Sequence, residues 1–304
     1  MFAIAEFGSV IRGSNDAISD RDLLIVSARR AQFGLRQRYS ALGYSVSTLT
    51  PHQLKFMQRS GSLFVQHLKR ESRVLCDAGG KFQCWLKQCD VVYPTNDEIR
   101  RCAASIEFFS GWPNESCLIG WKADALYCVS RDYLIKELAK LDHFVFGVNE
   151  IECALHSVAP LWKGNLEALR RLRAAKAAYR AGQAPPEGTS DSINAWIEKM
   201  GEWFGVCANN PAQKDLDGHF RTLVDRSFCS DYERLRTLEA VYIIAQTRGV
   251  YHPEHNVLLK YIKSPNAYGA SQKRRVKQVE GYLLETLDLL SNKQLDWMLL
   301  PRAS

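Results

Sequence analysis

Apolar positions in the first 95 residues recur with two spacings, one typical of strands and one typical of helices. Short apolar or alternating runs predict strands, and apolar residues three or four positions apart predict amphipathic helices between them. Gly43 ends the first helical run, and Pro51 opens the second. The predicted order is strand Ala3–Val10, strand Asp20–Ser27, helix Ala28–Leu42, strand Tyr44–Leu49, helix Pro51–Arg70 and strand Arg73–Cys76.

From about Asp97 onward the spacing is helical throughout. The predicted helices are Lys122–His143, Val148–Val158, Asn165–Arg180, Asp191–Phe204, Asp215–Arg226, Tyr232–Thr247 and Ser271–Leu290. Gly182–Gly188 contains two prolines and two glycines and is the clearest linker in the chain. The expected fold class is therefore α+β, with a mixed sheet in residues 1–95, a helical bundle in 96–182 and a further helical region in 183–304.

Composition narrows the classes of protein without naming a function. The formal net charge of +7 suits a polyanionic ligand such as a nucleotide or nucleic acid, although solubility alone also explains it. The sequence shows no signal peptide and no apolar run long enough to span a membrane. None of the nine cysteines forms a CxxC pair, which predicts reduced thiols, a cytoplasmic location and neither a zinc site nor a disulfide framework.

Two short segments carry the candidate chemistry. Gly8 and Ser9 follow the first predicted strand, with Arg12 shortly after, and Asp20 and Asp22 lie two residues apart on the second. Glycine lets a backbone approach a ligand closely, and serine adds a hydroxyl and an amide that can bind phosphate. Side chains two apart on a strand share one face, and carboxylate oxygens suit Mg²⁺ or Mn²⁺. We expect a nucleotide-and-metal site here.

The order strand, Gly-Ser, ten residues, Asp-x-Asp, apolar run resembles the signature of the DNA polymerase beta-like nucleotidyltransferase superfamily. The resemblance implies that Gly8, Ser9 and Arg12 bind the triphosphate of a nucleotide and that Asp20 and Asp22 hold the catalytic metal, Mg²⁺ or Mn²⁺. It also implies a small nucleotidyltransferase domain whose cleft is completed by the helical bundle. The helices themselves support this weakly, because amphipathic helices resemble one another.

The chain departs from the family pattern at one position. Members of the family usually carry a third carboxylate on the next core strand, and here that strand offers Ser47, or Ser45 in a shifted register. Three explanations stay open. Asp20 and Asp22 act alone with a base from elsewhere, Asp77 substitutes as a metal ligand, or the domain binds nucleotide without turning it over. As an ordinary turn residue before Gly79 and Gly80, Asp77 needs no metal.

These observations predict an enzyme that moves a nucleoside monophosphate from a nucleoside triphosphate such as ATP to a hydroxyl group. The acceptor is a protein, an oligonucleotide or a small molecule, and the resemblance includes phage-defence and toxin systems. The alternative is an inactive nucleotide-binding regulator that docks a partner through its helical half. A third possibility is nucleic-acid binding through basic helices, for which Arg170–Lys176 and Lys273–Lys277 are the candidate runs.

Overall fold

The computed structural model of the protein describes residues 1–13, 21–158, 166–206, 216–224, 228, 230–249, 281 and 285–286. The strands are β1 (Ala3–Phe7), β2 (Arg21–Val26), β3 (Tyr44–Leu49) and β4 (Ser72–Asp77). The helices are α1 (Ser9–Arg12), α2 (Arg29–Ala41), α3 (Pro51–Arg59), α4 (Leu63–Glu71), α5 (Lys81–Gln88), α6 (Asn96–Ser110), α7 (Ile119–Lys140), α8 (Val148–Val158), α9 (Glu167–Arg180), α10 (Thr189–Phe204), α11 (Leu216–Val224) and α12 (Asp231–Thr247). A four-stranded mixed sheet followed mainly by helices confirms the predicted α+β class.

The sheet has the strand order β3-β2-β1-β4. β1 lies antiparallel to both of its neighbours, whereas β2 and β3 run parallel and are connected through α2. Alternate residues of β1 and β2 face opposite sides of the sheet. Ala5, Phe7 and Leu24 pack in the larger core with residues of α3, α4 and α5. Ile4, Leu23 and Ile25 face the other side, where Leu35 and Tyr39 of α2 cover them.

Two predicted boundaries were wrong. The first strand ends at Phe7 rather than Val10, because Gly8 turns the chain and Ser9–Arg12 form a short helix. The single helix predicted over Pro51–Arg70 is two helices, separated at Ser60–Ser62, where Gly61 has a φ of 71°. That left-handed conformation suits glycine and ends a helix. The predicted helix Ser271–Leu290 lies almost entirely outside the described residues.

The chain forms two compact units, each made of two segments. The first comprises Met1–Arg100 and Arg131–Leu166, and the second comprises Arg101–Ser130 and Glu167–Ser304. The Gly182–Gly188 linker lies inside the second unit, between α9 and α10. None of the described helices combines the length and apolar character needed to cross a membrane. The seven described cysteines are all free thiols.

Charged side chains are buried in the helical core of the second unit. Asp124 on α7 is 1% exposed and pairs with Arg180 of α9 and Arg236 of α12, each at 3.0 Å. Arg236 also pairs with Glu239 at 2.7 Å, and Tyr179 donates a hydrogen bond to Glu239 at 2.7 Å. Buried charges need such partners because desolvation is costly. The cluster fastens three helices of this unit to one another.

Candidate active site

The structure brings Gly8 and Asp22 together at one end of the sheet. β1 and β2 are paired so that Phe7 lies opposite Asp22, and Gly8 is the next residue along the chain. A Cβ atom built on Gly8 would lie 3.1 Å from Oδ2 of Asp22, and Gly8 has a φ of 83° and a ψ of −150°. That backbone region is open almost only to glycine. The turn therefore requires glycine for both its conformation and its closeness to the carboxylate.

Asp22 is half-buried on the face of the sheet that carries the larger core. It alternates with Leu23 and so shares the face of Leu24, which packs among the residues of α3, α4 and α5. Asp22 has further interactions within the protein. It is the second residue of β2 and so lies near the end of the strand.

The backbone amides of Gly8 and Ser9 differ in their hydrogen bonds. The Gly8 amide donates to the carbonyl of Glu71 at 3.3 Å, where α4 leads into β4. Ser9 is the first residue of α1, and the first amides of a helix have no partner within that helix. Among the described residues, no acceptor is hydrogen-bonded to the Ser9 amide. Ser9 is therefore the better phosphate donor of the two, and Gly8 contributes shape.

Two of the predicted site residues, Asp20 and Arg12, lie wholly or partly outside the described part of the chain. Asp20 is in the undescribed segment 14–20. Arg12 ends α1, and its side chain is not described. Their assignments to metal and to triphosphate stay predictions.

The third strand carries no acidic residue opposite Asp22. β3 is parallel to β2, and Ser45 is the residue opposite Asp22, whereas Ser47 lies opposite Leu24. Both serines are exposed. The register thus selects Ser45 as the residue beside Asp22. A hydroxyl group at this position is a weak metal ligand and a poor general base compared with a carboxylate.

Asp77 lies at the opposite end of the sheet from Asp22. It pairs with Ala3, four residues before Phe7, which corresponds to roughly 13 Å along the strand. Its carboxylate accepts hydrogen bonds from the Phe82 amide at 3.0 Å and the Gln83 amide at 2.9 Å. Asp77 therefore caps the start of α5, and the structure does not bring it together with Asp22.

The sequence analysis missed two residues of α4 that border this end of the sheet. His67 Nε2 lies 3.0 Å from Oε2 of Glu71, and each side chain is 12% exposed. The His67 ring stacks on Phe146 with centroids 4.4 Å apart and meets the Phe7 ring edge-on at 5.5 Å. The signal in the sequence was a histidine and a glutamate four residues apart in a predicted helix. Only the fold shows that this helix face reaches Phe7.

Glu6 occupies the other face of the same strand end. It is 4% exposed, and it accepts hydrogen bonds from the Tyr44 hydroxyl at 2.7 Å and from Arg73 Nη2 at 2.5 Å. Burial favours the neutral acid, but these hydrogen bonds and the Arg73 charge prevail and lower the pKa of Glu6. The same hydrogen bond to Glu6 raises the pKa of Tyr44. Glu6 is thus an ionised structural carboxylate with its oxygens occupied.

The described residues include only one of the two predicted metal ligands, Asp22. Within them, no group of three or more His, Cys, Asp or Glu side chains is arranged to hold a metal ion. Asp22 offers the hard oxygen ligand that Mg²⁺ prefers, with the glycine turn beside it. A complete site needs Asp20 from the undescribed segment.

Comparisons of the chain with protein-family models, with curated proteins and with solved structures find no match. The resemblance to the nucleotidyltransferases therefore rests on Gly8, Ser9, Asp20 and Asp22 and on their spacing, and it stays a prediction.

Proposed function

We propose that this protein is a metal-dependent nucleotidyltransferase. It would move a nucleoside monophosphate from a nucleoside triphosphate to a hydroxyl group and release pyrophosphate. The observation that carries the proposal is the position of Gly8, whose Cβ site lies 3.1 Å from Oδ2 of Asp22. A glycine turn against a strand carboxylate suits a phosphate held beside a metal, and this supports the proposal.

Each residue has a distinct role in this proposal. Asp22, together with Asp20, would hold Mg²⁺ or Mn²⁺, which supplies Lewis-acid stabilisation of phosphate charge when bound. Ser9 would donate its amide and hydroxyl to the triphosphate, while Gly8 keeps the backbone close. Arg12 would neutralise phosphate charge.

The proposal includes three classes of acceptor. A protein side chain, an oligonucleotide and a small molecule each offer the hydroxyl group that the reaction needs. The first two would suit a toxin or a phage-defence enzyme in the cytoplasm. The formal charge of +7 favours acceptors that are themselves anionic.

A second candidate function follows from β3. Ser45 lies opposite Asp22, where a carboxylate would help to hold metal and to deprotonate the acceptor. This observation favours a protein that binds nucleotide without turnover and regulates a partner. His67 and Glu71 lie on α4 beside Phe7, and in the enzyme proposal they are the candidates to supply a base instead.

The experiment is an incubation of the purified protein with each α-labelled nucleoside triphosphate, Mg²⁺ or Mn²⁺ and cell extract as a source of acceptors. Pyrophosphate and a labelled product are the readouts. Loss of a metal ligand removes several kcal/mol of transition-state stabilisation, so Asp22→Asn should lower turnover by about 100- to 1,000-fold. Asp20→Asn should do the same.

Asp90→Asn is the matched control, because Asp90 is an exposed aspartate of the same unit. It should retain wild-type turnover. Nucleotide binding without turnover under either metal would replace the enzyme with the second candidate. Neither binding nor turnover would reject both.

A further inference from the structure

The charges of the first unit are unevenly distributed along its chain. The protein has 33 Asp and Glu residues among 304, yet none lies between Leu23 and Arg70. The same segment contains basic residues on all three of its helices. They are Arg29, Arg30, Arg36, Arg38, Lys55, Arg59, Lys69 and Arg70. Such a segment has a positive field that its own side chains do not neutralise.

Helix α2 holds half of these cations and is the most exposed helix of the segment. None of its residues is buried. No described residue forms an ion pair with Arg29, Arg30, Arg36 or Arg38, whereas Arg73 on β4 is paired with Glu6. Unpaired arginines on one helix repel each other, so an anionic partner would stabilise them.

An aromatic ring lies among these cations. Phe33 is 71% exposed, the largest exposed fraction of any large apolar side chain described. Arg29, Phe33 and Arg36 are spaced i, i+4 and i+7 and so share one face of α2. Leu35 and Tyr39 occupy the other face, where they pack on β2 and β3. A single exposed ring is common on protein surfaces, but its alignment with unpaired arginines is a specific pattern.

The pattern fits the backbone and bases of a nucleic-acid strand. Arginines contact phosphates, and an exposed ring between them stacks on an unpaired base. A duplex has no unpaired base to offer, and a free nucleotide is too short to span a helix of 13 residues, which is roughly 20 Å long. From these observations we infer that α2 is a docking surface for single-stranded nucleic acid.

The C-terminal end of α2 lies near the candidate active site. α2 begins after the last residue of β2 and returns the chain to the first residue of β3, which is parallel to β2. Its last turn therefore lies at the sheet end that holds Asp22. The ring centroids of Tyr39, in that turn, and Tyr44 lie 6.1 Å apart. The Tyr44 hydroxyl accepts a hydrogen bond from Arg21, the residue before Asp22, and the two residues are opposite each other in the sheet. The binding itself does not depend on nucleotidyl transfer.

The test measures fluorescence anisotropy of a labelled single-stranded oligonucleotide of mixed sequence with the purified full-length protein. Contacts with three or four phosphates predict a slope of log affinity against log salt of about −2 to −3. The triple variant Arg29→Gln/Arg30→Gln/Arg36→Gln should weaken binding by at least tenfold and flatten that slope. Phe33→Ala should weaken binding about tenfold with the slope unchanged, because stacking is not electrostatic.

Arg170→Gln/Arg171→Gln/Arg173→Gln on α9 is the matched comparison, because it removes the same charge from the run that the sequence alone offered for nucleic-acid binding and on which Arg171 is paired with Glu167. It should change the affinity less than threefold. Asp22→Asn should bind the oligonucleotide as the wild type does, so a failure of the proposed transfer reaction would be visible separately. Thermal unfolding checks that every variant is folded.

Four results would overturn the inference. They are absence of binding by the wild type, equal losses in the α2 and α9 variants, equal affinity for a duplex of the same length, and binding to phosphatidylserine vesicles in place of the oligonucleotide.

Discussion

Asp22 and Asp124 are aspartates of the two units with opposite surroundings. Asp124 is 1% exposed and has Arg180 and Arg236 within 3.0 Å. Asp22 is half-buried near the end of a strand, and a Cβ atom built on Gly8 would lie 3.1 Å from one of its carboxylate oxygens. A buried carboxylate that is fully paired holds helices together. Asp22, beside the glycine turn, is the carboxylate that the proposed function assigns to a metal.

The same contrast applies to the basic side chains. Arg236 is 5% exposed and has two carboxylate partners and the Trp121 carbonyl. Within the described residues, the arginines of α2 have no ion pair. Charge density alone therefore does not identify a functional surface. The pairing of each charged group distinguishes a structural network from a binding site.

The largest expected effect is on the Asp124 network. Asp124→Asn places an amide donor against Arg236 and removes one carboxylate partner from that buried guanidinium. Breaking a buried ion pair on one side costs about 3–5 kcal/mol. Urea unfolding at pH 7 should show this loss in the free energy of unfolding.

Asp132→Asn, on the same helix, is the control. Asp132 is 55% exposed and pairs with Lys136 at 2.5 Å. An exposed pair contributes about 0–1 kcal/mol, so this variant should unfold near the wild-type midpoint. Equal losses at the two positions would remove the distinction between the buried and exposed carboxylates.

A smaller effect is expected at the turn beside Asp22. Gly8→Ala must adopt a φ of 83° and bring its Cβ within 3.1 Å of Oδ2. A non-glycine residue in this region costs about 1–3 kcal/mol. Urea unfolding should show that loss, and turnover should fall with it because Asp22 is displaced.

Gly34→Ala provides a control of opposite sign. Gly34 lies within α2, and no atom lies within 4 Å of the Cβ that the substitution adds. Replacing a helical glycine should increase the free energy of unfolding by about 0.4–1 kcal/mol. If both variants lose stability equally, the conformation assigned to Gly8 is not what makes glycine necessary there.

Local patterns predicted the elements better than their contacts. Both ends of the strand Tyr44–Leu49 were predicted correctly, because the alternation of apolar and polar residues begins directly after Gly43 and stops before Pro51. Helix α5 was missed because it is only eight residues long and starts directly after the Gly79–Gly80 turn. Eight residues give about two helical turns, which is too few for a clear helical spacing of apolar positions.

Residues of the candidate site were predicted only where their position follows from the strand itself. Gly8 and Asp22 meet because Gly8 directly follows β1 and Asp22 is the second residue of β2, so sequence spacing locates both. The distance of Asp77 from Asp22 depends on the register between β1 and β4, which no local pattern reveals. The contact of His67 with Phe7 likewise requires the packing of α4 on the sheet.

The smallest expected effect concerns Glu6, a structural carboxylate on the strand next to Asp22, the proposed metal ligand. Its pKa in the folded protein is lowered from 4.5, so its contribution to stability is complete above about pH 4.5 and is lost as the pH falls through the lowered pKa. Glu6→Gln should therefore lower the free energy of unfolding by about 1–2 kcal/mol at pH 7, and the difference from the wild type should shrink in acid. Glu115→Gln, at an exposed position, should leave the free energy of unfolding at pH 7 near the wild-type value. Urea unfolding from pH 7 to pH 3 measures both, and a difference at Glu6 that stays constant with pH would show that its hydrogen bonds from Tyr44 and Arg73 do not depend on ionisation.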